Sequence, residues 1–188
     1  MKLEWLTSTA VATLVLGVSP SFATLDSTKV CTLLTREELA ANGVAITGLF
    51  PDDSVSIKKG SVPGFLLPDM QMDQCTSEMA AHYMAFPARW SVATTKDPID
   101  KKAWEQMADA LDQDKKGSAD YSEQRLTIEG IDCYTFSGPI DGKRVYEVGC
   151  SAFKSNHSVT LEFAQIDKAK LPPVKTVKRL LDKMLTRL

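Results

Sequence analysis

The sequence predicts an α+β fold: an antiparallel sheet with a C-terminal three-stranded meander, about three flanking helices and two disulfides. Three observations lead to this prediction. All four cysteines lie after residue 23. Two tight-turn dipeptides separate three runs rich in β-branched and aromatic residues. Three other segments carry helix caps or helical apolar spacing.

The N-terminus predicts export. Lys2 is followed by nine residues of apolar character at 10–18 and by the small-residue pattern Ser21-Phe22-Ala23, which is typical of a signal peptide cleaved after Ala23. The apolar stretch is shorter than the ~20 residues that span a bilayer. We therefore expect a signal peptide at 1–23, a single α+β domain at 24–188 without a transmembrane segment, and a periplasmic or extracellular location.

Composition indicates no nucleic-acid partner. The 188 residues carry a net charge of −2, and a near-neutral balance lacks the basic surplus that nucleic-acid binding requires. The charge is uneven, because residues 167–188 contain seven Lys or Arg and two Asp. The sequence does not indicate an oligomeric state.

The cysteines are Cys31, Cys75, Cys133 and Cys150. An even number in an exported chain favours disulfides. No Cys-x-x-Cys pair is present, and no histidine stands at ligand spacing from a cysteine, so we expect no metal, no cofactor and no redox-active pair.

The segment "CYTFSGPIDGKRVYEVGC" predicts the pairing. Asp141-Gly142 suits a two-residue hairpin turn, in which facing residues have numbers that sum to 283. Cys133 and Cys150 then face each other as a non-hydrogen-bonded pair, with Cα atoms ~4.5 Å apart, inside the range of a disulfide. Elimination pairs Cys31 with Cys75.

Ser155-Asn156 predicts a second tight turn, with facing residues that sum to 311. This register puts Cys150 opposite Leu161, on the same side as Cys133, so that side is expected to be buried. Val148 would face Phe163, and Ala152 would face Val159. The predicted meander strands are 131–137, 143–153 and 158–166.

Helices are predicted in three places. Thr35 and Glu38 form a capping box, and Gly43 marks the end of that helix. Asp97 before Pro98 suggests an N-cap for a helix that ends at Gly117. The segment "PPVKTVKRLLDKMLTRL" repeats apolar residues at intervals of three and four, typical of an amphipathic helix. Between the first two helices we predict strands at "VAITGLF" and "RWSVATT", and a weaker one at "QCTSEMA".

Two segments are candidate partner-binding sites. Phe65, Leu66 and Leu67 lie in a loop broken by Pro and Gly, which suits either an apolar lip that grips a partner or a connection folded over the core. Lys175, Lys178 and Arg179 lie on the outer face of the last helix, together with Lys183 and Arg187. That face suits an anionic lipid or acidic surface, or is an ordinary solvated face.

Catalytic signals are few. A Ser-His-Asp triad would need His82 or His157, the only two histidines. His82 has apolar neighbours typical of a packed histidine, and His157 is expected to be exposed at its turn. No catalytic motif is present. A carboxylate pair brought together by the fold is an arrangement that the sequence leaves open.

The segments "VCTLLTREELAANG" and "CSAFKSNHSVTLEF", the latter followed by a closing amphipathic helix, resemble small exported bacterial proteins of unknown function. The resemblance implies a sheet with flanking helices, broadly of the PsbP type, and an export route, but no activity. We predict a non-enzymatic binding or inhibitory module of the bacterial cell envelope, with an envelope protein or other envelope component as partner. The alternatives are a small secreted hydrolase with a carboxylate or histidine site, and a protein whose basic helix contacts anionic lipid.

Overall fold

The structure is a computed structural model that describes residues 27–59, 68–77, 86–102, 120–140 and 142–188. Its fold is α+β, and the described strands form one antiparallel sheet. The strands are β1 (Phe50–Pro51), β2 (Val55–Ile57), β3 (Met70–Thr76), β4 (Phe86–Thr95), β5 (Ser122–Ile128), β6 (Ile131–Ile140), β7 (Lys143–Lys154) and β8 (His157–Gln165). The helices are α1 (Ser27–Cys31), α2 (Arg36–Ala40) and α3 (Val174–Arg187), with a 3-10 turn at Lys168–Lys170.

The sheet has the order β1-β3-β4-β8-β7-β6-β5, and β2 also pairs with β3. The chain passes from β4 in the middle of the sheet to β5 at its far edge. From there β5, β6, β7 and β8 follow as a meander, and β8 closes the sheet by pairing with β4. The predicted C-terminal meander is confirmed, with one more strand than we expected.

Both predicted hairpin registers are confirmed. Ile140 pairs with Lys143 and Cys133 pairs with Cys150, while Lys154 pairs with His157 across the second turn. Gly142 and Ser155 have positive φ angles of 74° and 56°, the backbone conformation that two-residue hairpin turns require. β6 and β7 are longer than predicted because pairing continues up to both turns, and β8 has the predicted length but begins and ends one residue earlier.

Two disulfides are present, with the predicted connectivity. Cys133 and Cys150 have Cα atoms 4.0 Å apart and crosslink β6 to β7. Cys31 and Cys75 have Cα atoms 5.1 Å apart and join α1 to β3. The described residues therefore have two covalent links, one within the meander and one between the N-terminal helix and the sheet.

The main core lies between one face of the sheet and the helices. Residues of α1, α2 and α3 pack against alternate residues of the strands. Because α3 is amphipathic, its apolar stripe is buried while its polar face is not. The largest fully buried side chains of this core are Trp90, Phe163, Leu34, Leu39, Leu161, Leu180, Leu181 and Met184. No described helix has both the length and the apolar character needed to cross a membrane.

Two local predictions were wrong, and two strands were not predicted. Residues 44–49 are not a strand, and only Phe50 of "VAITGLF" belongs to one. The predicted N-cap Asp97 precedes the observed helix start, since residues 101 and 102 are the first helical ones and the Asp100 carboxylate accepts from the Lys102 N–H at 3.0 Å. Strands β2 and β5 were not predicted at all. The rest of the helix expected up to Gly117 lies outside the described residues, as does the predicted signal peptide.

Candidate functional site

The predicted apolar loop is not among the described residues. Phe65, Leu66 and Leu67 fall in the gap between 59 and 68, and His82 falls in the gap between 77 and 86. The interpretation of these four residues therefore stays a prediction.

Cations of α3 near its C-terminus contact α2. The Arg187 guanidinium donates to both carboxylate oxygens of Glu38 at 2.6 and 2.7 Å, and also to the Leu33 carbonyl at 2.6 Å. Lys183 lies 3.4 Å from the same carboxylate. Glu38 also caps α2, because it accepts from the Thr35 N–H. One carboxylate thus closes the first turn of α2 and fastens that helix to α3.

The remaining candidate cations of α3 differ in their surroundings. Lys178 is paired with Glu129 in the β5–β6 turn and with Asp182, and Arg179 donates to the Asn42 side chain. Lys175 is exposed. Two of the three predicted partner-binding cations thus join α3 to its own neighbours, which supports a structural role for this face.

The Glu38 ion pair predicts a pH-dependent stability. Hydrogen bonding to Arg187 lowers the pKa of Glu38 from 4.5 to about 2, although burial opposes the shift. Glu38→Gln keeps a capping side chain but removes the charge, so we expect it to cost about 1–2 kcal/mol at neutral pH. Because the folded-state pKa is the lower one, this stabilisation is complete above about pH 4.5 and is lost as the pH falls through about 2.

Urea denaturation at pH 7 and at pH 2 measures this effect. Glu37→Gln is the matched control, since Glu37 lies in the same turn of α2 but is exposed. An equal loss of stability at both pH values for Glu38→Gln would contradict the ionic explanation.

His157 is less exposed than predicted. Its ring lies at the start of β8, half-buried, with Nδ1 3.0 Å from the Thr94 hydroxyl. Burial, and to a smaller degree the charge of Lys154, lowers the pKa of His157 below 6.5. The ring is thus neutral at pH 7 and packed against β4, while His82 lies outside the described residues.

A polar cluster occupies the second face of the sheet, opposite the main core. The Tyr134 hydroxyl on β6 is hydrogen-bonded to Glu147 on β7 and, at 2.8 Å, to Glu162 on β8. The Arg89 guanidinium on β4 donates to Glu162 at 2.8 and 3.0 Å. The fold does bring two carboxylates together, as the sequence had left open, and it surrounds them with a phenol and a cation.

Gly149 allows this cluster to form. A Cβ atom at position 149 would lie 2.6–2.8 Å from ring atoms and the hydroxyl of Tyr134, closer than non-bonded atoms can approach. Because Gly149 is opposite Tyr134 in β6 and opposite Glu162 in β8, the ring can lie flat across β7. The phenol thereby reaches a carboxylate two strands away.

Gly149→Ala should therefore destabilise the protein by about 1–3 kcal/mol, the usual cost of overpacking a filled site. The displaced ring would also release Glu147 and Glu162. Urea denaturation in a double-mutant cycle with Tyr134→Ala isolates the clash, because in that background the alanine should be tolerated. If Gly149→Ala destabilised the Tyr134→Ala variant as much as it destabilises the wild type, the steric explanation would be contradicted.

The chemistry of the cluster favours a structural role. Burial, followed by the charges of Glu162 and Glu147, raises the pKa of Tyr134 well above 10, so the phenol stays a hydrogen-bond donor at physiological pH. It links three strands and holds both carboxylates. Within the described residues no group of His, Cys, Asp and Glu side chains is placed to hold a metal ion.

The edge strand β5 offers a different kind of site. In the part of the chain that is described, β5 pairs only with β6. The two-residue turn Glu129-Gly130, with φ angles of 50° and 80°, is closed by the Ile128–Ile131 pair, which is hydrogen-bonded in such hairpins. By alternation, the backbone groups of Glu123, Arg125 and Thr127 point away from β6. We call this row the outer edge of β5.

The outer edge is accessible and rigidly supported. Residues 122–125 and 127 are exposed. β6 is fixed to β7 by the Cys133–Cys150 disulfide, and the β5–β6 turn is fixed to α3 by the Glu129–Lys178 ion pair. A strand held in an extended conformation loses little entropy when another strand pairs with it.

The opposite edge of the sheet is different. There β3 is covered by two short strands, β1 with two residues and β2 with three. Short, interrupted strands offer little backbone for pairing. Of the two edges, β5 with its seven residues is the longer and more continuous one.

Sequence reasoning missed β5, although two signals mark it. Arg125 to Ile128 alternate between polar and apolar residues, and Glu129-Gly130 gives a pairing sum of 259 that matches Leu126 with Cys133. The hairpin lacks the stronger Asp-Gly turn signal.

Comparisons with protein-family models, with curated proteins and with solved structures found no match to this chain. The resemblance to small exported bacterial proteins accordingly stays a prediction.

Proposed function

We propose that the protein is a non-enzymatic interaction module of the bacterial cell envelope, which binds a partner polypeptide by strand addition at the outer edge of β5. The supporting observation is the seven-residue edge strand, five of whose residues are exposed, on a crosslinked support. In strand addition, the backbone groups of an edge pair with an extended segment of the partner, and side chains on either face select it.

The location in the envelope rests on two features. The two disulfides are typical of oxidising compartments, and the sequence of residues 1–23 has the order of a signal peptide. We infer export to the periplasm or the medium, where binding to an envelope protein could also be inhibitory.

Two other interpretations have less support. Contact of α3 with anionic lipid would compete with the bonds of Lys178 and Arg179 to Glu129 and Asn42. Hydrolysis by Glu147 and Glu162 would require both carboxylates to leave the Tyr134 hydroxyl.

A matched pair of variants tests the proposal. Arg125→Pro removes an outward N–H at the centre of the edge, a position where an edge strand tolerates proline. Arg125→Ala removes the same side chain, including its ion pair with Glu123, but keeps the N–H. Circular dichroism and thermal melts must show that both variants are folded.

The immobilised protein is incubated with an envelope extract of the producing bacterium, and the captured proteins are identified by mass spectrometry. Binding is then repeated with each purified partner. We expect folded Arg125→Pro to lose at least tenfold more affinity for the partner than Arg125→Ala, which keeps the outward N–H. Equal binding by both variants would overturn strand addition, and so would a wild type that binds neither an envelope protein nor a second copy of itself.

A further inference from the structure

We infer that the strand added to β5 is β5 of a second copy of this chain, which gives a two-fold symmetric antiparallel pair. The inference rests on the proposed function, because it uses the same outer edge. It names the partner and fixes a single register.

Backbone geometry limits the possible registers. Antiparallel partners form hydrogen-bonded pairs only between residues whose backbone groups point outward, here Glu123, Arg125 and Thr127. All three outward residues have odd numbers. The numbers of two facing residues, one from each copy, must therefore add to an even sum. Around the middle of the strand, residue 125, the sums are 246, 248, 250 and 252.

Charge selects one of these registers. With a sum of 246, Glu123 faces Glu123 of the second copy, and with a sum of 250 Arg125 faces Arg125 of the second copy. With a sum of 252, Glu123 faces Glu129 of the second copy. Like charges directly opposite each other are destabilising. With a sum of 248, each Glu123 faces an Arg125, and no like charges are opposed.

The existing ion pair fits this arrangement. Glu123 and Arg125 are salt-bridged within one strand, on the same face of the sheet. In the 248 register the two strands would form a square of four charges in which every neighbour has the opposite sign. Gln124, exposed on the other face, would lie on the symmetry axis opposite its own copy, in a non-hydrogen-bonded pair.

A charge swap tests the inference with purified protein alone. Glu123→Arg and Arg125→Glu each oppose like charges in the 248 register, so each variant should dimerise at least tenfold more weakly than the wild type in sedimentation velocity over a concentration series. An equimolar mixture of the two should recover the dimer, because every Arg then faces a Glu. A monomeric wild type, or variants that dimerise as well as it does, would overturn the inference.

A crosslink tests the register independently. Gln124→Cys would place two thiols across the axis with Cα atoms about 4.5 Å apart, suited to a disulfide. Ser122→Cys is the matched control: it lies on the same face, but its copy would be displaced by four residues, about 13 Å. We expect an intermolecular disulfide for Gln124→Cys alone, verified by non-reducing peptide mapping. Efficient crosslinking of the Ser122→Cys variant, or none of the Gln124→Cys variant, would contradict the register.

The two proposals fail separately. A monomeric wild type that still captures an envelope protein in the Arg125→Pro experiment would overturn self-pairing and leave strand addition in place. A monomeric wild type with no edge-dependent partner would overturn both.

Discussion

Trp90→Ala is expected to lower the free energy of unfolding by about 3–5 kcal/mol, the usual cost of truncating a buried aromatic residue. Trp90 is fully buried in β4, between Cys75 of β3 and Leu161 of β8. Its indole N–H donates to the Val30 carbonyl at 2.8 Å and so holds α1 on the sheet. The variant would lose both a filled core position and this link.

Urea denaturation followed by circular dichroism measures the effect. Trp90→Phe is the control, because it keeps an aromatic ring but loses the N–H and part of the volume, with an expected cost of about 1–3 kcal/mol. Because domains are stable by roughly 5–15 kcal/mol, the alanine variant should be near its unfolding threshold. A cost below about 1 kcal/mol for Trp90→Ala would show that α1 and the sheet are packed differently.

Loss of a disulfide should have the next largest effect, and the two bonds should differ. In the chain-entropy model the Cys31–Cys75 bond, with a sequence separation of 44, contributes about 4 kcal/mol. The Cys133–Cys150 bond, with a separation of 17, contributes about 3 kcal/mol. Removal of both would consume much of the stability of a typical domain.

Paired alanine variants measure each bond without leaving a free thiol. We expect Cys31→Ala with Cys75→Ala to lower the urea midpoint more than Cys133→Ala with Cys150→Ala, and the variant that lacks both bonds to be unfolded at 37 °C. The wild-type protein with both disulfides formed, measured at the same pH, is the control. If reduction of the wild type left its melting temperature unchanged, the bonds would not be structural.

The sequence was most informative where a turn fixes the register. Asp141-Gly142 and Ser155-Asn156 each determine which residues face each other, because a two-residue turn leaves one pairing sum. The Cys133–Cys150 disulfide then follows from arithmetic, and Cys31–Cys75 from elimination. Both disulfide predictions depend on the geometry of the turn, which is determined by residues adjacent in the sequence.

The sequence was least informative where contacts are distant or signals are ambiguous. Asp97 and Asp100 are both good N-caps, and the choice depends on where β4 ends. Glu38 was recognised as a capping residue, but its pairing with Arg187 spans 149 residues and needs the packed helices. A glycine within a strand, such as Gly149, is a sign that another group lies close to its backbone. Only the pairing of β6 with β7 shows that this group is the Tyr134 ring.

The central claim is that the outer edge of β5 pairs with another strand, and residue-resolved amide hydrogen exchange tests it most directly. The exchange of wild-type protein is measured in dilute and in concentrated solution, and with any partner captured from the envelope extract. We predict that the amides of Glu123, Arg125 and Thr127 exchange at least tenfold more slowly in the associated state, while those of Gln124 and Leu126, already bonded to β6, change little. Equal exchange of the three outward amides in the free and associated states would contradict the account.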